Sequence, residues 1–161
     1  MSAPAVRADQ PLRAVRHPGA PCRTLAAFFF LIATGTAYAQ NTPVGLWKTI
    51  DDHTGQEKSL VRVSESAGVV SGRIERLLHP SQPNPLCDKC RDERHGKPMV
   101  GLSIITGVVQ RGDVWDGGKI LDPGNGKIYA VRLRPLDGGR QLEVRGYIGP
   151  FFRTQIWSRV E

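Results

Sequence analysis

The chain predicts an all-β fold, a single up-and-down antiparallel barrel of about eight strands. Three observations carry that prediction. From Val44 onward apolar and polar residues alternate in short segments, and helical periodicity never persists beyond a turn or two. The connectors are rich in Gly, Asn, Asp and Pro, which supply positive φ or a pre-set bend at hairpin turns. Most connectors are also short, so consecutive strands pair as a meander, and closing that meander into a cylinder removes both exposed sheet edges.

In chain order, strand 45–50 leads into the turn Asp51-Asp52-His53-Thr54-Gly55, and strand 57–64 into Ala67-Gly68. Strand 68–78 ends at a connector of a different kind, His79 to Pro98, which carries four prolines, Cys87, Cys90 and many charges. About twenty residues without periodicity are long for a compact domain; such loops are functional or are pinned by something, and the cysteine pair is a ready pin. Strands 100–109 and 113–120 meet at Gly112-Asp113. Strand 127–135 follows Asp122-Pro123-Gly124-Asn125-Gly126, strand 140–148 follows Asp137-Gly138-Gly139, and strand 153–160 ends the series. On 140–148, Leu142, Val144, Gly146 and Ile148 share one face and Glu143, Arg145 and Tyr147 the other; on the last strand, Ile156, Ser158 and Val160 oppose Gln155, Trp157 and Arg159.

Residues 1–39 are expected to be an export address. Arg7, Arg13, Arg16 and Arg23 precede an apolar run from Leu25 to Ala33, and Ala37-Tyr38-Ala39 follows with small-x-small spacing. That is the order of a cleavable signal peptide. The run is shorter than the roughly 20 apolar residues of a permanent span, and no later stretch approaches that length. Cleavage after Ala39 is expected, with an uncleaved anchor as the alternative. Cys22 precedes the apolar run, so it is not placed for lipidation and leaves with the peptide. Residues 40–161 then form one domain, with no stable membrane span, carrying 18 Lys and Arg against 14 Asp and Glu, a net of +4. Those charges are mixed in sign along the chain, and without a basic stripe no nucleic-acid partner is expected.

Cys87-Asp88-Lys89-Cys90 has three readings. In an oxidising compartment a lone pair at this spacing is most simply a local disulfide. A redox-active dithiol would lack the helix N-terminus that usually lowers the first thiol's pKa. A metal site with His79 or His95 would lack a second pair at standard spacing, so neither a metal nor a cofactor is expected. No nucleophile elbow, zinc-protease helix or phosphate loop is present, which leaves no catalytic residue to name and favours a protein that is not an enzyme.

Gly45-Leu46-Trp47 on the first strand, with Arg153 or Arg159 beside Trp157 on the last, resembles the lipocalin-like arrangement in which a first-strand Gly-x-Trp packs beneath a C-terminal arginine. More of the chain is similar to the exported bacterial family called domain of unknown function 2147. That resemblance runs through Gly45-Leu46-Trp47-Lys48-Thr49-Ile50-Asp51-Asp52, Lys58-Ser59-Leu60-Val61, Gly72-Arg73-Ile74, Cys87-Asp88-Lys89-Cys90, Lys97-Pro98-Met99-Val100-Gly101, Gly117-Gly118-Lys119-Ile120-Leu121-Asp122-Pro123, Lys127-Ile128-Tyr129, Val144-Arg145-Gly146-Tyr147-Ile148-Gly149 and Arg153-Thr154-Gln155-Ile156-Trp157. It implies a lipocalin-like barrel in the bacterial periplasm and leaves the activity open.

Within such a barrel, Gly45, Arg153 and Arg159 are expected to be structural, a guanidinium over the Trp47 indole closing the floor. Trp47 and Trp157 are also candidate ligand contacts. Asp51-Asp52 reads as turn capping before it reads as a metal or proton-sharing pair, because neighbouring side chains on a strand diverge. Asp122 is expected to be buried and to accept backbone hydrogen bonds at its turn. Arg145 and Tyr147 share a face and are expected to meet Gln155 or Trp157 across the strand pair; inside the barrel that group would grip a head group such as a carboxylate, and outside it would be a solvated sheet face. The expected role is carriage or sequestration of a small amphipathic molecule. The alternative is an envelope interaction module using the 79–98 loop, with a protein partner the sequence does not identify. Thiol-dependent catalysis ranks below both.

Overall fold

The structure is a computed structural model that describes residues 41–51 and 54–161. The export segment with its arginines and Cys22, the cleavage site at Ala39, and Asp52 and His53 of the first turn lie outside the described residues. No helix among the described residues is long and apolar enough to cross a membrane.

Eight strands follow in chain order: β1 (Gly45–Ile50), β2 (Glu57–Ser66), β3 (Val69–Leu77), β4 (Ser103–Arg111), β5 (Val114–Asp122), β6 (Lys127–Leu136), β7 (Gln141–Ile148) and β8 (Phe151–Arg159). Each is antiparallel to the next, and β8 returns to β1, so the meander is a closed barrel. The seam pairs Trp47 with Arg159 and Lys48 with Ser158. Leu46 N–H donating to the Glu161 carbonyl (3.1 Å) and Val160 N–H donating to the Leu46 carbonyl (2.8 Å) extend it.

Strand bounds differ from expectation where a turn captures the chain. β4 starts at Ser103 because Gly101, at φ +88°, donates its N–H to the Ile74 carbonyl and holds residues 100–101 in a bend. β8 starts at Phe151 because the Gly149-Pro150 turn is tight enough for Ile148 to pair with Phe151.

Register turns apolar side chains of every strand inward, the inward phase shifting at bulges such as those between Ile105 and Val108 on β4 and between Trp115 and Gly118 on β5. Trp47 faces Val61, Val61 faces Ile74, and further round Leu133 faces Val144 and Leu142 faces Trp157. Trp47, Val61, Val63, Val70, Ile105, Val108, Leu133 and Leu142 are almost wholly shielded from solvent. Each side chain of this kind stabilises the fold by about 1.5–3 kcal/mol relative to exposure, so this layer holds the barrel together. Gly118 sits at a bulge in β5 where a Cβ would lie 2.4 Å from the Thr106 carbonyl oxygen. No side chain fits there, which lets β4 and β5 close up over the core.

A polar-collared cavity at one end of the barrel

The two barrel ends are built differently. At one end Arg159 closes the floor. Its guanidinium lies 4.2 Å from the centre of the Trp47 ring. Its N–H groups donate to the carbonyls of Gly139, Val44 (2.8 Å) and Thr42 (2.8 Å). The Trp47 indole N–H donates to the Pro43 carbonyl at 2.7 Å, so ring and cap are both fixed. Burial pushes the Arg159 pKa down from its ordinary value, since the ion has given up water for carbonyl dipoles and an indole face. Gly45 is the partner this arrangement demands: a Cβ there would stand 2.2 Å from Arg159 Nη1, and its φ is +147°. The cap is therefore Arg159 alone. Arg153 lies six residues earlier on β8, in the same side-chain phase but at the opposite end of the barrel.

At that opposite end a cavity of about 180 Å3 opens above the core. Its walls are mostly apolar, with Ile74, Leu77, Met99, Ile104, Val144 and Trp157 among them. Three polar features break the wall. Thr49 and Ser59, paired across β1 and β2, share a hydroxyl–hydroxyl hydrogen bond of 2.8 Å and are buried. The Trp157 indole N–H donates to Gln155 Oε1 at 3.0 Å. Tyr129 also lines the cavity, its hydroxyl 3.1 Å from Asn125 Nδ2.

The mouth carries a collar of charge. Lys58 Nζ lies 3.4 Å from Asp51 Oδ2, and Arg153 Nη1 lies 4.0 Å from Asp122 Oδ2. All four side chains line the cavity. Asp51 and Asp122 are held in place by their turns. Asp51 Oδ1 accepts the Thr54 N–H at 3.1 Å, capping the turn three residues on, in keeping with its sequence context. Asp122 Oδ1 accepts the Gly124 N–H and Oδ2 the Asn125 side-chain amide, both at 2.9 Å. Asp122 does accept a backbone hydrogen bond at its turn, but it is only partly buried, because its strand ends at the mouth rather than in the core.

The long connector between β3 and β4 packs over this end. Cys87 and Cys90 form a disulfide and are buried in the apolar core cluster, while Met99 reaches the cavity wall. In this state neither sulfur is a thiolate, the species that ligates a metal. The loop is internally hydrogen bonded: Cys87 N–H donates to the Lys97 carbonyl (2.9 Å) and Met99 N–H to the Pro85 carbonyl (2.9 Å), and Leu86 bridges Pro98. His95 Nδ1 lies 2.9 Å from the Cys90 carbonyl oxygen. Arg94 binds the Asp92 carboxylate and the Ser103 carbonyl, and this guanidinium holds the Asp92 pKa down at about 2. The connector is seated on the β5–β6 turn so closely that a Cβ on Gly126 would lie 1.7 Å from the Lys89 carbonyl oxygen.

The candidate ligand residues separate in this geometry. Gln155 and Trp157 line the cavity. Trp47 lies in the floor beneath it, fully buried and outside the cavity lining. Arg145 and Tyr147 do not join them, which corrects the expected grouping. In the observed register Arg145 pairs with Thr154 and Tyr147 with Phe152, while Gln155 faces Val144 and Trp157 faces Leu142. With side chains alternating, that register sends Arg145 and Tyr147 to the outer surface. Arg145 bonds Thr154 Oγ1 at 2.9 Å and lies over the Phe152 ring.

Lys58, Thr49, Ser59 and Tyr129 do not stand out as site residues in the sequence, and Arg153 stood there as the alternative to Arg159 for the floor. A signal for them existed. In an up-and-down barrel the end of β1, the start of β2, the end of β5 and the start of β8 meet at one rim, and residues in phase with Trp47 point inward.

Two comparisons place this geometry among known proteins. A family model described as "Uncharacterized protein conserved in bacteria (DUF2147)" matches residues 45–159. Among solved structures the barrel is similar to one titled "Protein HP1028 from the human pathogen Helicobacter pylori belongs to the lipocalin family", with a TM-score of 0.65 and 18% identity over 75% of this chain and 84% of that one. At that identity the likeness concerns the fold. No curated protein matches the chain.

Proposed function

Because the chain belongs to the uncharacterised bacterial family DUF2147 and folds as a lipocalin-like barrel, we propose that it binds a small amphipathic molecule in the periplasm, carrying or sequestering it after export by residues 1–39. The carrying observation is the apolar chamber of about 180 Å3 beneath a collar of Lys58, Arg153, Asp51 and Asp122. Size limits the occupant. An apolar protein cavity of about 150 Å3 takes one benzene ring, so the buried part of this ligand is a single ring or a short chain. The head stays at the collar, where cations and carboxylates together suit a group that both accepts and donates hydrogen bonds. The fold and the apolar lining fit a binding protein better than a catalyst.

The β3–β4 connector acts in this reading as a lid over the chamber. Its burial of Cys87 and Cys90 in the core favours that role over a free docking arm.

Octanoate is a suitable probe, with a short apolar chain and a carboxylate head. Titration should change the emission of Trp157 saturably, at one site per chain, and native mass spectrometry should show the one-to-one complex. Val144→Phe, which fills the chamber from β7, should reduce octanoate affinity by tenfold or more while the protein still melts cooperatively. A protein that shows no saturable response to octanoate, and that is recovered without any bound molecule from the envelope, would sink the carrier role.

A further inference from the structure

The tip of the β7–β8 hairpin has a composition that the chamber does not use. Phe151 is 73% and Phe152 62% exposed, and Ile148 beside them is also exposed. These side chains surround a turn of only Gly149 and Pro150, at the same barrel end as the cavity mouth. Both faces of the ribbon are apolar here. Ile148 and Phe151 continue the inward phase one step beyond Gly146 and Arg153, while Tyr147 and Phe152 stack on the outer face with ring centres 6.2 Å apart. Exposed aromatics of this size at a convex tip mark a contact surface.

Charge identifies the kind of contact. Residues 127–156, which span β6 to the middle of β8, contain six Lys and Arg against two Asp and Glu, a net of +4. The remainder of the chain from residue 41 is balanced, with twelve of each sign. Of those six, Arg134 and Arg140 lie toward the floor end beside Glu143 and Asp137, so the basic residues on the side of the phenylalanines are Lys127, Arg132, Arg145 and Arg153, with Asp116, Glu143 and Asp122 as partners of the three arginines. Arg145 lies 5.0 Å from the Phe152 ring centre and Arg132 5.9 Å from that of Tyr147, so cations flank the apolar tip directly.

We propose that this tip docks the barrel on an anionic lipid bilayer, with Phe151, Phe152 and Ile148 entering the interfacial layer and the surrounding arginines meeting lipid phosphates. Apolar and aromatic side chains at a tip backed by basic residues match the two components of interfacial binding, apolar burial and attraction to anionic lipid. A second copy is a poorer occupant, because a symmetric contact would bring two positive tips together. A folded protein partner is poorer as well: a stable protein interface uses about 800 Å2 per side, and a two-residue turn is narrow for that. Docking in this way sets the cavity mouth beside the bilayer.

The test uses the full chain and two variants, with phosphatidylglycerol–phosphatidylcholine vesicles and pure phosphatidylcholine vesicles containing brominated lipid. The native tryptophans Trp47, Trp115 and Trp157 are buried and give the baseline. In Phe151→Trp the added indole should be quenched by bromolipid in anionic vesicles, less so in neutral ones, and less again at high ionic strength. Phe151→Ser/Phe152→Ser should partition at least tenfold more weakly into anionic vesicles while binding octanoate like the parent. Lipid contact made only through the apolar residues 25–33 would leave Phe151→Trp unquenched, and that result overturns the proposal. Equal quenching in neutral and anionic vesicles overturns it too, as does a tip that drives self-association, with the double serine variant monomeric but unchanged in vesicle partition.

Discussion

Arg159 shows how one side chain can decide a barrel end. It stacks on Trp47, satisfies the carbonyls of Thr42, Val44 and Gly139, and shapes the backbone of Gly45 by occupying the space a side chain would need. Arg159→Ala leaves three carbonyls without that donor and the indole without its cation. Stability should fall by about 2–4 kcal/mol, read from chemical denaturation followed by tryptophan emission. Arg159→Lys should recover little of it, since an ammonium cannot span three acceptors and stack at once. A lysine variant as stable as the parent would show that charge, not fork geometry, closes the floor. The Gly-x-Trp pattern with a late arginine was legible only through its resemblance to the lipocalin-like arrangement. Which of Arg153 and Arg159 served was not, because both fall in one phase of β8 and the choice depends on where β1 meets β8.

At the scale of elements, the β3–β4 connector behaves as a folded unit clipped by its disulfide. Cys87 and Cys90 enclose a very short loop, so chain entropy alone gives the bond about 2 kcal/mol of stabilising effect. Cys87→Ser/Cys90→Ser removes that and also places two hydroxyls among buried apolar groups. The midpoint of thermal unfolding should drop, while octanoate binding weakens only as far as the lid loosens. Abolished binding with an unchanged midpoint would instead assign the sulfurs a chemical role. The connector's length, prolines and cysteines announced it in sequence. Its seating on Gly126 did not show, since that contact joins segments some thirty-five residues apart and depends on a glycine whose need appears only when the Lys89 carbonyl is placed beside it.

For the whole molecule, closure is the decisive event, and it is thinnest at the seam. β1 and β8 pair at two positions, whereas β6 and β7 pair at seven. Arg62 reinforces the seam from outside, bonding both Glu75 and Glu161. Exposed ion pairs of that kind contribute little, so opening should begin there. Native-state hydrogen exchange should find the Leu46 and Val160 amides exchanging by local opening, faster than the ladder between β6 and β7. Equal protection at both places would mean that the barrel opens only by global unfolding.

Alternation, turn residues and short connectors were sufficient to specify an eight-strand meander, because local side-chain period and turn chemistry are properties of neighbouring residues. The same local rule told which residues share a face of a strand, but not which face is inside. What only the tertiary structure decided was which residues share the chamber. That depends on strand register, and one residue of slip exchanges inside for outside: Arg145 and Tyr147 went to the surface, Gln155 and Trp157 to the interior. It depends equally on closure, which brings Lys58, Asp51, Asp122 and Arg153 from four strand ends to one mouth, a convergence that no stretch of neighbouring residues encodes.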